Sequence, residues 1–227
     1  MSSKSAIIPN LCDIDVNDIQ ISDVPKTLDN GGKIIFVQMG GKPLIFKVPA
    51  MTLPYGMSDW EGTKFHIDLS LSETNPEITE FKNKFIALES KIIDTAYEKC
   101  MPWFKKQYKS REVVEELYSS AIKYSKDKAT GEISNKYPPT VKFQIPFVKG
   151  KFTCDAYNFK KEAIEISKET VNKGAKVTSL VHLSGLWIAG SKIGATYKVV
   201  QMKVKASESN VISGYAFVDD DDLYEDI

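Results

Sequence analysis

Cysteine is scarce in this chain. The three present, Cys12, Cys100 and Cys154, are odd in number and widely spaced, with no C-x-x-C pair. That argues against a disulfide framework or a structural zinc site and fits a reducing, intracellular compartment. Cys100 and Cys154 read as small buried or half-buried groups. Histidine is scarcer still. His66 and His182 lie far apart, and no H-x-E, H-E-x-x-H or paired Cys/His spacing exists, so neither a metal nor another cofactor is expected. A Walker loop and a G-x-S-x-G elbow are both missing. Gly190 and Gly194 flank Lys192 but join two strand-like runs, so they lack the helix N-terminus that a phosphate cradle uses. No apolar run approaches the ~20 residues of a membrane-spanning helix. The opening MSSKSAIIPN has no long apolar core, and no secretory signal is expected. These absences argue against an enzyme.

The charge is balanced in total and split in place. Lys and Arg number 30 against 30 Asp and Glu. Six of the acids, Asp219, Asp220, Asp221, Asp222, Glu225 and Asp226, crowd the last residues around Tyr224. Residues 1–29 add five aspartates against two lysines, which leaves residues 30–218 at a net +9. A basic body with an acidic end points towards a polyanionic partner and an internal competitor for it.

The chain reads as hairpins interrupted by helices. KIIFVQM and KPLIFKV flank Gly40-Gly41, a pair suited to a primed turn. Residues 49–62 form a loop rich in large apolar groups, including Met51, Leu53, Tyr55, Met57 and Trp60; packing is the favoured role and a binding lip the alternative. TKFHIDLSL alternates, with Phe65, Ile67, Leu69 and Leu71 inward and Lys64, His66, Asp68 and Ser70 outward. Asn75-Pro76-Glu77 starts a helix whose apolar spacing runs to about Cys100, and REVVEELYSSAI gives a second one after Ser110. A hairpin over 140–159 turns at Lys149-Gly150. Residues 160–173 have helical propensity, with Gly174 as the stop. Two arms, the first ending before Gly190 and the second ATYKVVQMKVK (195–205), make the last hairpin, joined by a turn over Gly190–Gly194 whose two glycines suit a positive φ. The expected fold is mainly β (α+β): an OB-like antiparallel barrel in one domain, residues 1–214, elaborated by a helical insertion at about 75–122 and followed by an acidic C-terminal tail, residues 215–227.

Several segments interleave lysines with rings, the pattern that single-strand binders use for phosphates and bases. WFKKQYK brings Lys105, Lys106 and Tyr108; the basic loop 123–139 brings Lys123, Tyr124, Lys126, Lys128, Lys136 and Tyr137; the second hairpin brings Lys142, Lys149, Lys151 and Phe152. The last hairpin carries Trp187, Lys192, Tyr197, Lys198 and Lys203, and strict alternation sets Tyr197, Val199, Gln201 and Lys203 on one face. Each segment has a bland alternative: a solvated loop, a domain-surface segment or a sheet with snorkelling lysines. Trp187 sits in an apolar run that suits a core as well as a stacking platform.

GGKPLIFKVPAMTLPYGM, KYSKDKATGEISNKYPPTVKFQIPF and GLWIAGSKIGATYKVVQ resemble a family of proteins from nucleocytoplasmic large DNA viruses, the algal and giant viruses. Their order, and the acidic tail, also resemble the OB-fold single-stranded-DNA-binding proteins of these viruses and of T7-like phages. The resemblance implies coating of single-stranded DNA, without strong sequence preference, during viral replication, recombination or repair in an infected cell. It implies that the tail occupies the DNA groove until a strand displaces it, then hooks replication proteins or a second protomer. The competing expectation is a virion or scaffold module that docks proteins and binds no nucleic acid.

Overall fold

The structure is a computed structural model that describes residues 7–29 and 31–207. The tail residues Asp219, Asp220, Asp221, Asp222, Tyr224, Glu225 and Asp226 lie outside the described residues. The strands in chain order are β1 (Ile19–Ile21), β2 (Lys26–Thr27), β3 (Lys33–Ile35), β4 (Val37–Met39), β5 (Lys42–Pro43), β6 (Ile45–Lys47), β7 (Met51–Thr52), β8 (Ser58–Trp60) and β9 (Lys64–Ser70). Three helices come next, α1 (Pro76–Glu98), α2 (Cys100–Phe104) and α3 (Arg111–Leu117). Then come β10 (Tyr118–Ser119), β11 (Ile122–Lys123), β12 (Thr140–Ile145), β13 (Phe147–Val148), β14 (Lys151–Phe152), β15 (Asp155–Asn158), β16 (Lys176–Ala189) and β17 (Lys192–Lys205).

The protein is mainly β, and its principal sheet runs β2-β3-β16-β17-β12-β9-β8, with five further strands paired along it. Most ladders are antiparallel, as expected; β10, β12 and β15 instead lie parallel to β17 along its second edge. Gly40 and Gly41, at φ 56° and 71°, turn β4 into β5 as a primed turn demands. Within the apolar loop, Met51, Leu53 and Met57 are buried, whereas Tyr55 and Trp60 are exposed.

Helix α1 begins where Asn75 Oδ1 accepts the Glu77 amide at 2.9 Å and Pro76 supplies the first helical φ. It lays Phe81, Phe85, Leu88 and Ile92 on the sheet; the Phe85 ring centroid stands 4.9 Å from Tyr197 and 6.2 Å from Phe143. Helix α3 is shorter than its sequence suggests, because the chain turns extended at Tyr118 to pair with β17.

Residues 160–173 form turns and bends, not the expected helix. Local side-chain hydrogen bonds take the backbone elsewhere. Asn158 Oδ1 accepts from the amides of Lys160 (2.9 Å) and Glu162 (3.0 Å), Lys161 is left-handed at φ 69°, and Thr170 Oγ1 accepts the Ser167 amide at 2.9 Å.

Candidate nucleic-acid interface

Two bulges decide what the long hairpin presents. Leu180 pairs with Gln201 but Val181 with Val199, so Val200 is an extra residue; Leu183 pairs with Tyr197 but Gly185 with Thr196, so Ser184 is another. A bulge flips the alternation beyond it. Tyr197 and Val199 therefore face the core with Met202 and Val204, while Lys198, Gln201 and Lys203 face out. The uniform face expected for Tyr197, Val199, Gln201 and Lys203 does not exist. Tyr197 is 3% exposed and its burial pushes the phenol well above its usual value.

The outward side of the central strands is polar and basic. Strand β9 sends out Lys64, His66 and Asp68; β12 sends out Lys142 and Gln144. Register aligns one row across five strands: Ser58, His66, Gln144, Lys198 and His182. At ~4.8 Å per strand spacing this row spans about 19 Å. Trp60, opposite Lys64 on the edge strand, is 65% exposed. Trp187 stands at the other side, half-buried, its indole lying on Gly194 of the paired strand.

Between these rings the sheet opens. β12 and β17 meet only at Gln144 and Lys198 and diverge towards the hairpin tip. The chain from Tyr118 to Lys123 enters the gap, its first half pairing with β17 and its second with β12. What remains is a cleft of about 240 Å³, lined among others by His66, Ser120, Lys123, Lys142, Gln144, Trp187 and Thr196. A second depression, of about 270 Å³ and lined by Trp60, Lys64, His66 and Lys142 among others, adjoins it. Together they make a diagonal trough from Trp60 to Trp187.

The insertion wall of this cleft is pinned by Glu89 on α1. Its carboxylate, 7% exposed, accepts from Ser120 Oγ (2.6 Å), the Ala121 amide (2.8 Å) and Tyr118 Oη (3.2 Å). Burial pushes Glu89 upward and the three donors oppose it. Burial also lowers both histidines, reinforced by Lys142 at His66 and by Lys198 at His182. Asp68 is raised by burial against the pull of Lys142, 3.9 Å away.

Of the residues expected at the site, Lys123, Lys142, Trp187 and the almost wholly buried Tyr197 line the cleft, and Lys198 stands at its edge opposite Gln144. Others are elsewhere. Tyr108 is 7% exposed, with Phe104 edge-on at 5.4 Å and Lys106 over its ring at 5.3 Å, so WFKKQYK spends its rings on packing while Lys105 and Lys106 remain exposed. Phe152 is half-buried, its ring 4.9 Å from Phe65 and from Phe147. Lys203 lines a separate depression with Lys47, Phe159 and Leu180. Tyr124, Lys126, Lys128, Lys136 and Tyr137 are exposed on the 123–139 loop, as are Lys149 and Lys151 beside their turn and Lys192 at the hairpin tip. Lys64, His66, Gln144 and Thr196 join the site without having been expected there, and Trp60 joins it by the less favoured reading of its loop as a binding lip. Alternation sets Lys64 and His66 outward; the neighbours that give this meaning come from distant strands. Among the described residues, no group of His, Cys, Asp and Glu could hold a metal ion, and no helix is long and apolar enough to cross a membrane.

The fold resembles solved single-stranded-DNA-binding proteins of phages. For gp2.5, encoded by bacteriophage T7, identity is 13%, coverage 76% of this chain and 97% of that one, and the TM-score 0.46. For the single-stranded-DNA-binding protein from bacteriophage Enc34 the values are 15%, 91%, 99% and 0.43, and for its complex with ssDNA 13%, 82%, 96% and 0.41. No curated protein matches the chain. Residues 66–219 match a described family, and the chain accordingly belongs to the family of unknown function DUF5871.

Proposed function

We propose that the chain binds single-stranded DNA along the diagonal trough and does no chemistry on it. The observation that carries this reading is the make-up of one sheet face: rings at its two sides, Trp60 and Trp187, with Lys64, Lys142 and Lys198 between them. Ammonium groups capture phosphates and release counterions, and indoles stack on bases of any sequence. A duplex keeps its bases stacked inside, so rings at the surface favour single strands. The exposed lysines of the 123–139 loop would add further phosphate contacts beside the trough.

The acidic tail is proposed to compete for this trough, on charge alone: its six acids match the lysines that a strand would neutralise. Replication, recombination or repair of a viral genome is the setting that the sequence resemblance supports. Tryptophan fluorescence titrated with poly-dT at about 50 and 200 mM salt tests the reading. Quenching with an affinity that falls at least tenfold between the two is expected, along with tighter binding once residues 215–227 are removed. Salt-independent or absent binding overturns the proposal, and unchanged affinity after truncation overturns the role of the tail.

A further inference from the structure

We infer that the cleft between β12 and β17 holds one base turned out of the bound strand, and that it favours thymine or guanine, which present a keto oxygen at C4 or C6, over cytosine or adenine, which present an amine there. The inference rests on the single-strand reading above and adds chemistry to it. Three observations support it. First, one wall is a flat ring. The Trp187 indole lies on Gly194, where a Cβ would come within 2.4 Å of Cζ2, so the absent side chain lets the ring settle as a platform. Stacking against such a wall needs a planar partner, which a phosphate is not.

Second, the cleft is closed on the side away from the strand. The segment Tyr118–Lys123 fills the end of the gap and is tied to α1 through Glu89. At about 240 Å³ the cleft has room for a base ring.

Third, the charged groups of the cleft are donors only. Lys123 and Lys142 both line the cleft and an ammonium can only donate. The hydroxyl of Ser120, which could have accepted, already takes the Ile122 amide at 3.0 Å and gives its proton to Glu89. Ammonium donors recognise the O4 of thymine or the O6 of guanine; the amine that cytosine or adenine presents at the same place is itself a donor, and among the described residues no carboxylate lines the cleft to accept from it. Gln144, on the row between His66 and Lys198, can complete the contact through its amide N–H.

The test uses the full chain and three oligonucleotides of one length: dT, dC and an abasic strand. At fixed salt, dT is expected to bind about tenfold tighter than dC, with the abasic strand weaker than either. Gln144→Leu and Lys142→Met are each expected to bring the dT to dC ratio close to one. Circular dichroism checks that both variants fold. Equal affinities for dT and dC, with salt-sensitive binding retained, would sink the base pocket and leave the trough standing. A ratio that survives both substitutions places the discrimination elsewhere and also overturns it. Failure of every strand to bind removes the single-strand reading and the pocket together.

Discussion

Trp187 rests on Gly194: an ideal Cβ at that glycine would stand 2.4 Å from the indole Cζ2 and 2.7 Å from Cε2. The glycine is not there for its backbone angle, since its φ is ordinary for an L residue. It is there for closeness. Gly194→Ala must lift the indole off the sheet, so we expect a destabilisation of about 1–3 kcal/mol and a shift in tryptophan emission. Emission and melting profiles that match the parent protein would show that the ring does not lie against this strand.

Acidification should pull stability and binding in opposite directions. His66 and His182 are held below the ordinary 6.5 by burial and by the lysines beside them. The unfolded chain therefore takes up their protons first. Stability that is complete above the unfolded value is lost as pH falls through it towards the lowered folded values. A bound polyanion favours the imidazolium, so affinity for single strands should rise over the same window. Denaturant melts and titrations at about pH 7.5 and pH 5.5 read the two effects, and His66→Gln with His182→Gln should flatten both. Affinity that is constant across this range would place neither histidine beside the strand.

Trp60 and Tyr197 should part company in mutagenesis. Trp60 is 65% exposed on an edge strand, whereas Tyr197 is 3% exposed against Phe85 and Phe143. Trp60→Ala is expected to leave stability within about 0.5 kcal/mol and to weaken single-strand binding about tenfold. Tyr197→Ala should lose about 3–5 kcal/mol of stability, as large aromatic truncations in cores do. A stable Tyr197→Ala chain would contradict the core assignment.

Glu89 joins the helical insertion to the sheet through three donors. Glu89→Ala leaves those groups unpaired beside a cavity, and a loss of about 2–4 kcal/mol is expected. Because burial raises its folded pKa, the parent protein gains stability from this group as pH falls towards the unfolded value near 4.5 and gives it up above the folded one. Hydrogen exchange at the Ala121 amide should accelerate in the variant while that at Val181 does not. Equal protection at Ala121 in both proteins would mean that another contact holds the segment.

Period alone reveals some of this architecture and misplaces the rest. The alternation of residues 63–71 and the Gly40-Gly41 reversal can be read directly, because in each the local pattern and the tertiary burial agree. The face of residues 192–205 cannot, since Val200 adds a residue without a partner and reverses the alternation on its far side. The helix expected over 160–173 does not form because Asn158, Ser167 and Thr170 offer the backbone shorter-range partners, a competition that apolar spacing does not register. The trough is half visible in the sequence: Lys142, Lys198 and Trp187 stand out, but Trp60 reads mainly as packing and His66 as an ordinary strand residue. Only the register across β8, β9, β12 and β17 makes one surface of them.

The three-helix excursion also serves as mortar. Its returning segment supplies the ladder partners that two of the main strands, touching at a single point, cannot give each other. Excising residues 76–123 would leave a pair of unsatisfied edges staring across an empty slot. Such a shortened chain would have to slide its halves together, erasing the cleft, or recruit a neighbour's strand to fill it.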